Sequence, residues 1–170
     1  MGQARQRKSG KPSPIKPRRF FDTGAKFNYS GDMLVNCPKC GGVGRIRHVE
    51  PSGDAGPTCQ FTCSRCSHRI VSPASSEFWR SGNYPYDPYL GLRLHLQVRT
   101  RHGILFAYNE DHLDAIEGFV AAELRERRRG EFGWSKSSMV RLPPWVKSAK
   151  NREEVLRVLA RLRRRLAEPS

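Results

Sequence analysis

The sequence predicts an α+β protein: a cysteine-rich group of short strands, then a β-hairpin with a helix, then a basic C-terminal helix. Two Cys-x-x-Cys pairs, separated by 22 residues, indicate the first part. Apolar and polar residues alternate after residue 91, as in a half-buried strand. Apolar residues recur every three or four positions after residues 110 and 150, as on the buried face of a helix. The length of 170 residues allows one domain or two very small ones.

The net charge of +15 is concentrated at the two ends of the chain. Residues 1–31 hold eight basic residues and one acidic one, residues 32–124 hold nine and ten, and residues 125–170 hold fourteen and five. A near-neutral centre between two cationic arms is typical of proteins that grip a polyanion. Only 37% of the residues are hydrophobic, which argues against a compact enzyme that spans the whole chain.

The first segment, residues 1–31, is predicted to be a disordered basic tail. It is rich in Pro, Lys and Arg and shows no apolar period. Four aromatic residues are the exception, because they would either dock the tail onto the body or stack on nucleic-acid bases. The sequence does not decide between these roles for Phe20, Phe21, Phe27 and Tyr29.

The expected compartment follows from the apolar pattern. The sequence holds no run of about 18 apolar residues for a membrane span, and no apolar stretch of a secretory signal follows the basic N-terminus. We therefore expect a cytoplasmic protein without a membrane partner. In that compartment, five cysteines favour metal or thiol chemistry over disulfide bonds.

The two cysteine pairs are the strongest motif. A Cys-x-x-Cys turn points both thiolates at one position, and two such turns supply four soft ligands for a tetrahedral Zn²⁺ ion. Between the pairs, strands are predicted at residues 43–49 and 58–63, joined by a turn rich in Pro and Gly. The predicted ligands are Cys37, Cys40, Cys63 and Cys66.

Paired knuckles on a strand hairpin resemble a zinc ribbon, the module found in transcription factors, polymerase subunits and ribosomal proteins. The resemblance covers roughly residues 33–72, and the zinc-ribbon domain is assigned to residues 32–73. A site whose four ligands all come from the protein is closed, so it would hold the fold and offer no position for a reactive water. This predicts no catalytic residues and argues against an enzyme with an open zinc site.

Other interpretations of these thiols stay open. A free or redox-active dithiol and an iron–sulfur centre compete with zinc. Cys59 would also form a pair with Cys63 and release Cys66 from the ligand set. His48 and His68 are alternative ligands, although surface positions on the hairpin and the last strand are favoured for both.

The second unit, residues 74–142, is predicted as strand, hairpin turn, strand and helix. A turn at residues 101–103 leads to a returning strand at residues 104–108. Asn109 is placed to cap a helix that runs from Glu110 to about Arg128. The alternating apolar positions of the first strand are Leu92, Leu94, Leu96 and Val98.

Residues 108–112, Tyr-Asn-Glu-Asp-His, also suggest a comparison with HNH nucleases, some of which carry Cys-x-x-Cys knuckles. The order and spacing of His and Asn do not match that motif. A helix cap is therefore preferred over catalysis for Asn109.

The last segment, residues 143–170, is predicted as a Pro- and Trp-containing link followed by a helix at about residues 150–167. Pro144 is placed to start a short helical turn, and Trp145 is expected to anchor the link to the body. One face of the helix is crowded with arginines, which favours phosphate binding over a solvated face. Its opposite, apolar stripe consists of Val155, Leu159, Leu162 and Leu166.

The C-terminal half also resembles bacterial zinc-ribbon proteins of unassigned function. The resemblance lies in residues 87–89, 108–113, 142–145 and 149–152. It implies a bacterial origin and no activity.

These features predict a non-enzymatic regulatory or accessory factor that binds DNA or RNA by counterion release, without a small-molecule substrate. The alternative is a protein-interaction module or antitoxin-like regulator that docks an acidic partner through the ribbon and the apolar stripe. The sequence does not distinguish DNA from RNA, and it assigns no sequence specificity, biological process or oligomeric state. The predicted phosphate contacts are Arg18, Arg19, Lys39, Arg45, Arg47, Arg65, Arg69, Arg127, Arg128, Arg129, Arg161, Arg164 and Arg165.

Overall fold

The computed structural model describes residues 18–22, 32–49, 56–74, 85–127 and 138–167. In chain order the strands of these ranges are β1 (Arg19–Asp22), β2 (Asp32–Asn36), β3 (Val43–Val49), β4 (Thr58–Cys63), β5 (Arg69–Pro73), β6 (Gln97–Thr100), β7 (Gly103–Phe106) and β8 (Leu124–Arg127). The helices are α1 (Glu110–Ala121), α2 (Pro144–Lys147) and α3 (Arg152–Ala167), with short 3₁₀ turns at Ser138–Arg141 and Ala149–Asn151. The predicted mixed α+β class is confirmed.

Strands β2 to β5 form one antiparallel sheet, in that order. Strands β3 and β4 have the bounds that the sequence predicts. Side chains alternate between the two faces of a strand, so the residues opposite one another in register share a face. Ile46 of β3 lies opposite Phe61 of β4, and both are fully buried, whereas the next residue along β3, Arg47, is exposed. One face of this ribbon sheet therefore carries a core. The other face is largely open along β3 to β5, whereas at β2 it is covered, because Leu34 is buried in a second core.

The predicted strand after residue 91 is not one continuous strand, and its residues are divided between two hydrophobic cores. Leu94 forms a bridge with Val35 of β2 and is buried in the ribbon core. The backbone N–H of Gln97 then bonds to the carbonyl of His95 at 3.1 Å, and β6 pairs with β7 as a hairpin. Leu96 consequently lies in a second core, built from the hairpin and the helices. The apolar alternation is real, but the chain turns from one core into the other halfway along it.

Helix α1 is shorter than predicted. It ends at Ala121 instead of near Arg128, and the guanidinium of Arg152 donates to the carbonyl of Ala122 at 3.0 Å, at the point where the helix stops. The residues that follow form β8, which pairs in parallel with β1. Pairing with a strand about a hundred residues away overrides the local helical pattern, which the sequence alone does not reveal.

Part of the predicted disordered tail is a strand. Strand β1 lies beside β8, and the ring of Phe20 packs edge-to-face on Phe119 with centroids 5.6 Å apart. Phe20 therefore docks the chain onto the second core, and the prediction of disorder is wrong for residues 19–22. The remainder of the predicted tail, residues 1–17 and 23–31, lies outside the described residues.

The second core is formed where α1 and α3 pack on the β6–β7 hairpin. Its fully buried members include Leu113, Ile116 and Val120 of α1 and Leu159 and Leu162 of α3. The link before α3 has the two features that were predicted for it. Helix α2 starts at Pro144, and the indole of Trp145 stacks on the ring of His102 with centroids 5.3 Å apart.

Within the described ranges, no helix has the length and apolar character needed to cross a membrane.

Candidate metal centre and basic surface

Two knuckles bring four cysteines together. Cys37 and Cys40 lie at the turn after β2, and Cys63 and Cys66 lie at the end of β4 and in the turn that follows. Their four Sγ atoms all lie within 4.8 Å of one another. The Sγ–Sγ distance is 3.7 Å from Cys37 to Cys66 and 3.6 Å from Cys40 to Cys63. Tetrahedral coordination with metal–sulfur bonds of about 2.3 Å requires sulfur atoms about 3.8 Å apart, so the cluster is placed to hold a metal ion.

The backbone of each knuckle is folded around its sulfurs. The N–H of Lys39 donates to Cys37 Sγ, and the N–H of Arg65 donates to Cys63 Sγ, both at 3.4 Å. The residue after each pair has a left-handed backbone, with φ of 72° at Gly41 and 55° at Ser67. The two turns therefore have the same form, although only the first carries the glycine that favours it.

The thiols of the cluster differ strongly in acidity. Backbone N–H groups, first that of Cys66 and then that of Arg65, lower the pKa of Cys63 to about 6. The N–H of His68 lowers the pKa of Cys66, but burial and the neighbouring thiols outweigh it and raise that pKa to about 12. Thiolates at these separations repel one another, so a bound cation is what allows all four to ionise together.

Cys59 does not belong to this cluster. It is fully buried on the inner face of β4, where burial and then the negative charge of Asp87 raise the pKa of its thiol. The exchange of Cys59 for Cys66 that the sequence leaves open is therefore not the arrangement found. Cys59 and Cys63 are four residues apart on β4 and therefore lie on the same face of the sheet, but Cys59 lies farther into the core.

Neither candidate histidine joins the four sulfurs. The ring of His48 contacts Tyr89 edge-on with centroids 4.4 Å apart, and the ring of His68 contacts Phe61 at 6.1 Å. Both rings therefore pack against aromatic side chains of the ribbon core. Within the described chain, the metal-binding cluster consists of the cysteines alone.

Three of the predicted phosphate contacts share the open face of the ribbon sheet. Arg45 and Arg47 are two residues apart on β3, and the register sets Arg45 level with Thr62 and Thr62 level with Arg69. Since neighbouring strands are about 4.8 Å apart, the backbones at Arg45 and Arg69 are separated by about 10 Å. Arg47 and Arg69 are exposed, and Arg45 has 39% of its side chain exposed while it binds Asp32 at 2.6 Å.

Two further predicted contacts, Lys39 and Arg65, are exposed on the knuckles at the end of this sheet. The side chain of Arg65 also lies over Gly42, where an added Cβ would come within 3.1 Å of it. The close approach of the two knuckles therefore depends on the missing side chain at Gly42.

The four arginines between residues 161 and 165 of α3 fall into two groups. Arg163 binds Asp114 and Glu117 of α1, the latter at 2.7 Å, and so ties the two helices together. Arg161 and Arg164 are exposed, and Arg165 donates to the carbonyl of Gln97 at 2.6 Å. Those last three are the ones predicted to contact phosphates.

The apolar stripe of α3 is not an exposed surface. Val155, Leu159 and Leu162 are fully buried in the core shared with α1, and Leu166 packs partly buried against that core. The hypothesis that these side chains form the contact with a protein partner is therefore wrong.

Three of the predicted contacts of the two arms lie at the paired strands β1 and β8. Arg18 and Arg19 are exposed beside β8, and Arg127 is the last residue of β8, level with Asp22 of β1. Arg128 and Arg129 lie outside the described residues. Among the described residues, the pairing of β1 with β8 thus places Arg18 and Arg19 at the start of the strand beside the one that ends at Arg127.

A polar cleft between the ribbon sheet and the end of α3 was not predicted as a site, although one of its lining residues, Arg165, is a predicted phosphate contact. It has a volume of about 310 Å³ and is lined by Asn36, Arg93, His95, Gln97 and Arg165. A smaller cleft of about 190 Å³ shares two of these residues and also includes Arg45, Ser64 and Glu110. The only sequence signal was the row of polar residues that alternates with the leucines after residue 91.

Asn109 and His112, the residues that suggested a nuclease, have structural roles. Asn109 accepts from the backbone N–H of His112 at 2.9 Å and donates to the carbonyl of Asp32 at 2.7 Å, so the predicted helix cap is confirmed. The ring of His112 stacks on Tyr108 at 5.2 Å and accepts from its backbone N–H at 3.3 Å. Burial lowers the pKa of His112 to about 4.

This buried imidazole makes folding sensitive to acid. Between pH 6.5 and 4 the unfolded chain carries a proton on His112 that the folded protein does not, so the free energy of unfolding falls as the pH is lowered. From pH 7 to pH 5 we expect a loss of about 2 kcal/mol from this group. Urea unfolding of the wild type and of His112→Gln at pH 7 and pH 5 measures this loss as the difference between their changes in the free energy of unfolding. Acid effects on the thiols are common to both proteins, so identical pH dependence would contradict the assignment.

A scan against protein-family models, a search of curated proteins and a search of solved structures each found no match to this chain.

Proposed function

We propose that this chain is a zinc-stabilised, non-enzymatic protein that binds the phosphate backbone of DNA or RNA. The binding surface would be the open face of the ribbon sheet together with the basic side of α3. The observation that carries the proposal is the alignment of Arg45, Arg47 and Arg69 on one open face of a sheet whose end is held by four cysteines.

Zinc is the metal that the donor set favours. Four thiolates at tetrahedral separation are soft ligands in the geometry that zinc prefers, and Cys37 and Cys63 are almost completely buried. All four positions are supplied by the protein, so the ion would support the fold and activate no water. The bound ion would remove the repulsion between the thiolates and lock the two knuckles together.

The side chains of the open sheet face suit contact with phosphates better than contact with bases. Beside its arginines the face carries hydroxyl and amide side chains together with Asp32, Val49 and Val71, and none of the outward residues of β3, β4 and β5 is aromatic. Phosphate oxygens accept hydrogen bonds from guanidinium, hydroxyl and amide groups, whereas base stacking requires aromatic side chains. This composition favours contact with the backbone and little reading of sequence.

The sheet face adjoins the basic side of α3. Arg45 and Arg165 line the same cleft, and Arg161 and Arg164 lie one turn or less from Arg165 on the exposed side of the helix. A phosphate chain that crosses the sheet can therefore continue through this cleft onto α3. This continuity supports a single extended interface.

The test compares two double variants with the same loss of charge. Arg47→Gln with Arg69→Gln removes two exposed arginines of the sheet face. Arg101→Gln with Arg163→Gln removes two arginines that already bind carboxylates, Arg101 to Glu154 at 2.7 Å and Arg163 to α1. Affinity for labelled duplex DNA and RNA, measured from 50 to 200 mM salt, is the readout.

The sheet-face variant is expected to bind about tenfold more weakly at the lower salt concentration. Its slope of log affinity against log salt should fall by about two, because each phosphate contact contributes about 0.9. The control variant should keep the wild-type slope. Wild-type protein that binds neither polymer at 50 mM salt would overturn the proposal and direct the search to an acidic protein partner.

A further inference from the structure

We propose that the cleft between the ribbon sheet and the end of α3 is a phosphate-binding site. This inference rests on the proposed function and deepens it, since it names a built subsite for one phosphate group of a nucleic acid. The volume of about 310 Å³ is at the lower end of the range of small-ligand sites and accommodates a phosphate with its attached nucleoside. Arg93, His95 and Asn36, which line it, were not among the predicted contacts.

The inner wall of the cleft is held by hydrogen bonds. His95 Nδ1 lies 3.0 Å from the side-chain oxygen of Asn36, which orients both groups. Gln97 is only 6% exposed, and its amide nitrogen donates to the carbonyl of Leu94 at 2.6 Å and that of Pro85 at 3.2 Å. A wall that is ordered before the ligand arrives lowers the entropy cost of binding.

Two guanidinium groups complete the cleft. Arg165 donates one N–H to the carbonyl of Gln97 at 2.6 Å, so one of its five donors is used and the group is anchored in place. Arg93 is exposed, and its backbone carbonyl accepts from the N–H of Asn36 at 2.9 Å, which holds the residue beside β2. The forked guanidinium donors match the oxygens of a phosphate.

The charge of the cleft favours an anion. Two of its five lining residues are arginines, and none of the five is acidic. The smaller adjoining cleft contains Glu110, but it also contains Arg45 and Ser64, so the donors continue toward the open sheet face. A phosphate in the larger cleft would therefore lie on the path of the proposed interface.

The first experiment uses inorganic phosphate and needs no nucleic acid. Titration of ¹⁵N-labelled full-length protein should shift the resonances of Asn36, His95 and Gln97 in the wild type. In Arg93→Gln the apparent affinity is expected to fall about fivefold to tenfold. Arg99→Gln is the matched control, because Arg99 is exposed on β6, carries the same charge and does not line the cleft.

The second experiment separates a terminal phosphate from an internal one. Binding of a 5′-phosphorylated oligonucleotide is compared with that of its 5′-hydroxyl form, for the wild type and both variants. A loss of affinity in Arg93→Gln confined to the phosphorylated form assigns the cleft to a terminal phosphate, and an equal loss for both forms assigns it to an internal one.

The outcomes distinguish this site from the proposed function. If phosphate shifts the cleft resonances while the wild type binds no oligonucleotide, the site stands and the nucleic-acid function fails. If phosphate shifts no resonance of the cleft and Arg93→Gln binds oligonucleotides as Arg99→Gln does, the site is overturned, whatever the wild type binds.

Discussion

Cys63→Ser is expected to abolish metal binding and to unfold the ribbon sheet. Cys63 ends β4, is almost completely buried, and places its sulfur 3.6 Å from that of Cys40. Structural zinc sites contribute about 10–16 kcal/mol in small domains, whereas a whole domain is stable by only about 5–15 kcal/mol. The loss of one ligand should therefore leave β2 to β5 without enough stability to remain folded. Metal content per chain and the far-ultraviolet circular dichroism spectrum measure both effects.

Cys59→Ala is the matched control for this prediction. Cys59 lies four residues earlier on the same strand and is equally buried, but it is not part of the sulfur cluster. Its replacement should retain one metal ion per chain and cost about 1 kcal/mol of unfolding free energy, as expected for a small deletion in a core. Retention of one metal ion per chain by Cys63→Ser, with wild-type unfolding, would show that the four sulfurs are not the ligands. Metal analysis of the wild type also separates zinc from iron.

Gly44→Ala is expected to destabilise the protein by at least about 2 kcal/mol, since overpacking a tight core typically costs about 1–3 kcal/mol. A Cβ at this position of β3 would lie 2.2 Å from Cε2 of Phe61, a contact that real structures do not tolerate. The ring of Phe61 is fully buried in the ribbon core and has no free space to enter. Urea unfolding at pH 7 measures the change.

Gly118→Ala tests the opposite sign with the same chemical change. Gly118 lies in α1, where an added Cβ would meet Phe20 at an ordinary contact distance of 3.4 Å. Alanine stabilises a helix relative to glycine, so the variant should gain up to about 1 kcal/mol. If Gly44→Ala unfolds at the wild-type midpoint or above it, the close approach of Phe61 to β3 is not what requires glycine at position 44.

The ribbon was predictable because its determinants are local. Two Cys-x-x-Cys turns and the strands between them are encoded within about thirty residues, so the bounds of β3 and β4 and the favoured set of four cysteines could be predicted. That Cys66 and not Cys59 joins the cluster was decided by the structure. The cap at Asn109 and the start of α2 at Pro144 were likewise predictable, since each depends on one residue and its nearest neighbours.

The errors arose where distant segments meet. The helical pattern after residue 110 continues past Ala121, but β1 pairs with the residues beyond it, and that pairing decides where α1 ends. The apolar stripe of α3 fits equally a partner-binding face and a core face, and only the packing of α1 against it shows which one is present.

The sequence by itself determined the two cysteine pairs, the class of the fold and the concentration of positive charge in the arms, because spacing, periodicity and composition are properties of neighbouring residues. Only the tertiary structure decided that Arg45, Arg47 and Arg69 share an open face and that Arg93 and Arg165 meet in one cleft. A surface is formed by strand register and by contacts between residues far apart in the chain, and no local pattern records them.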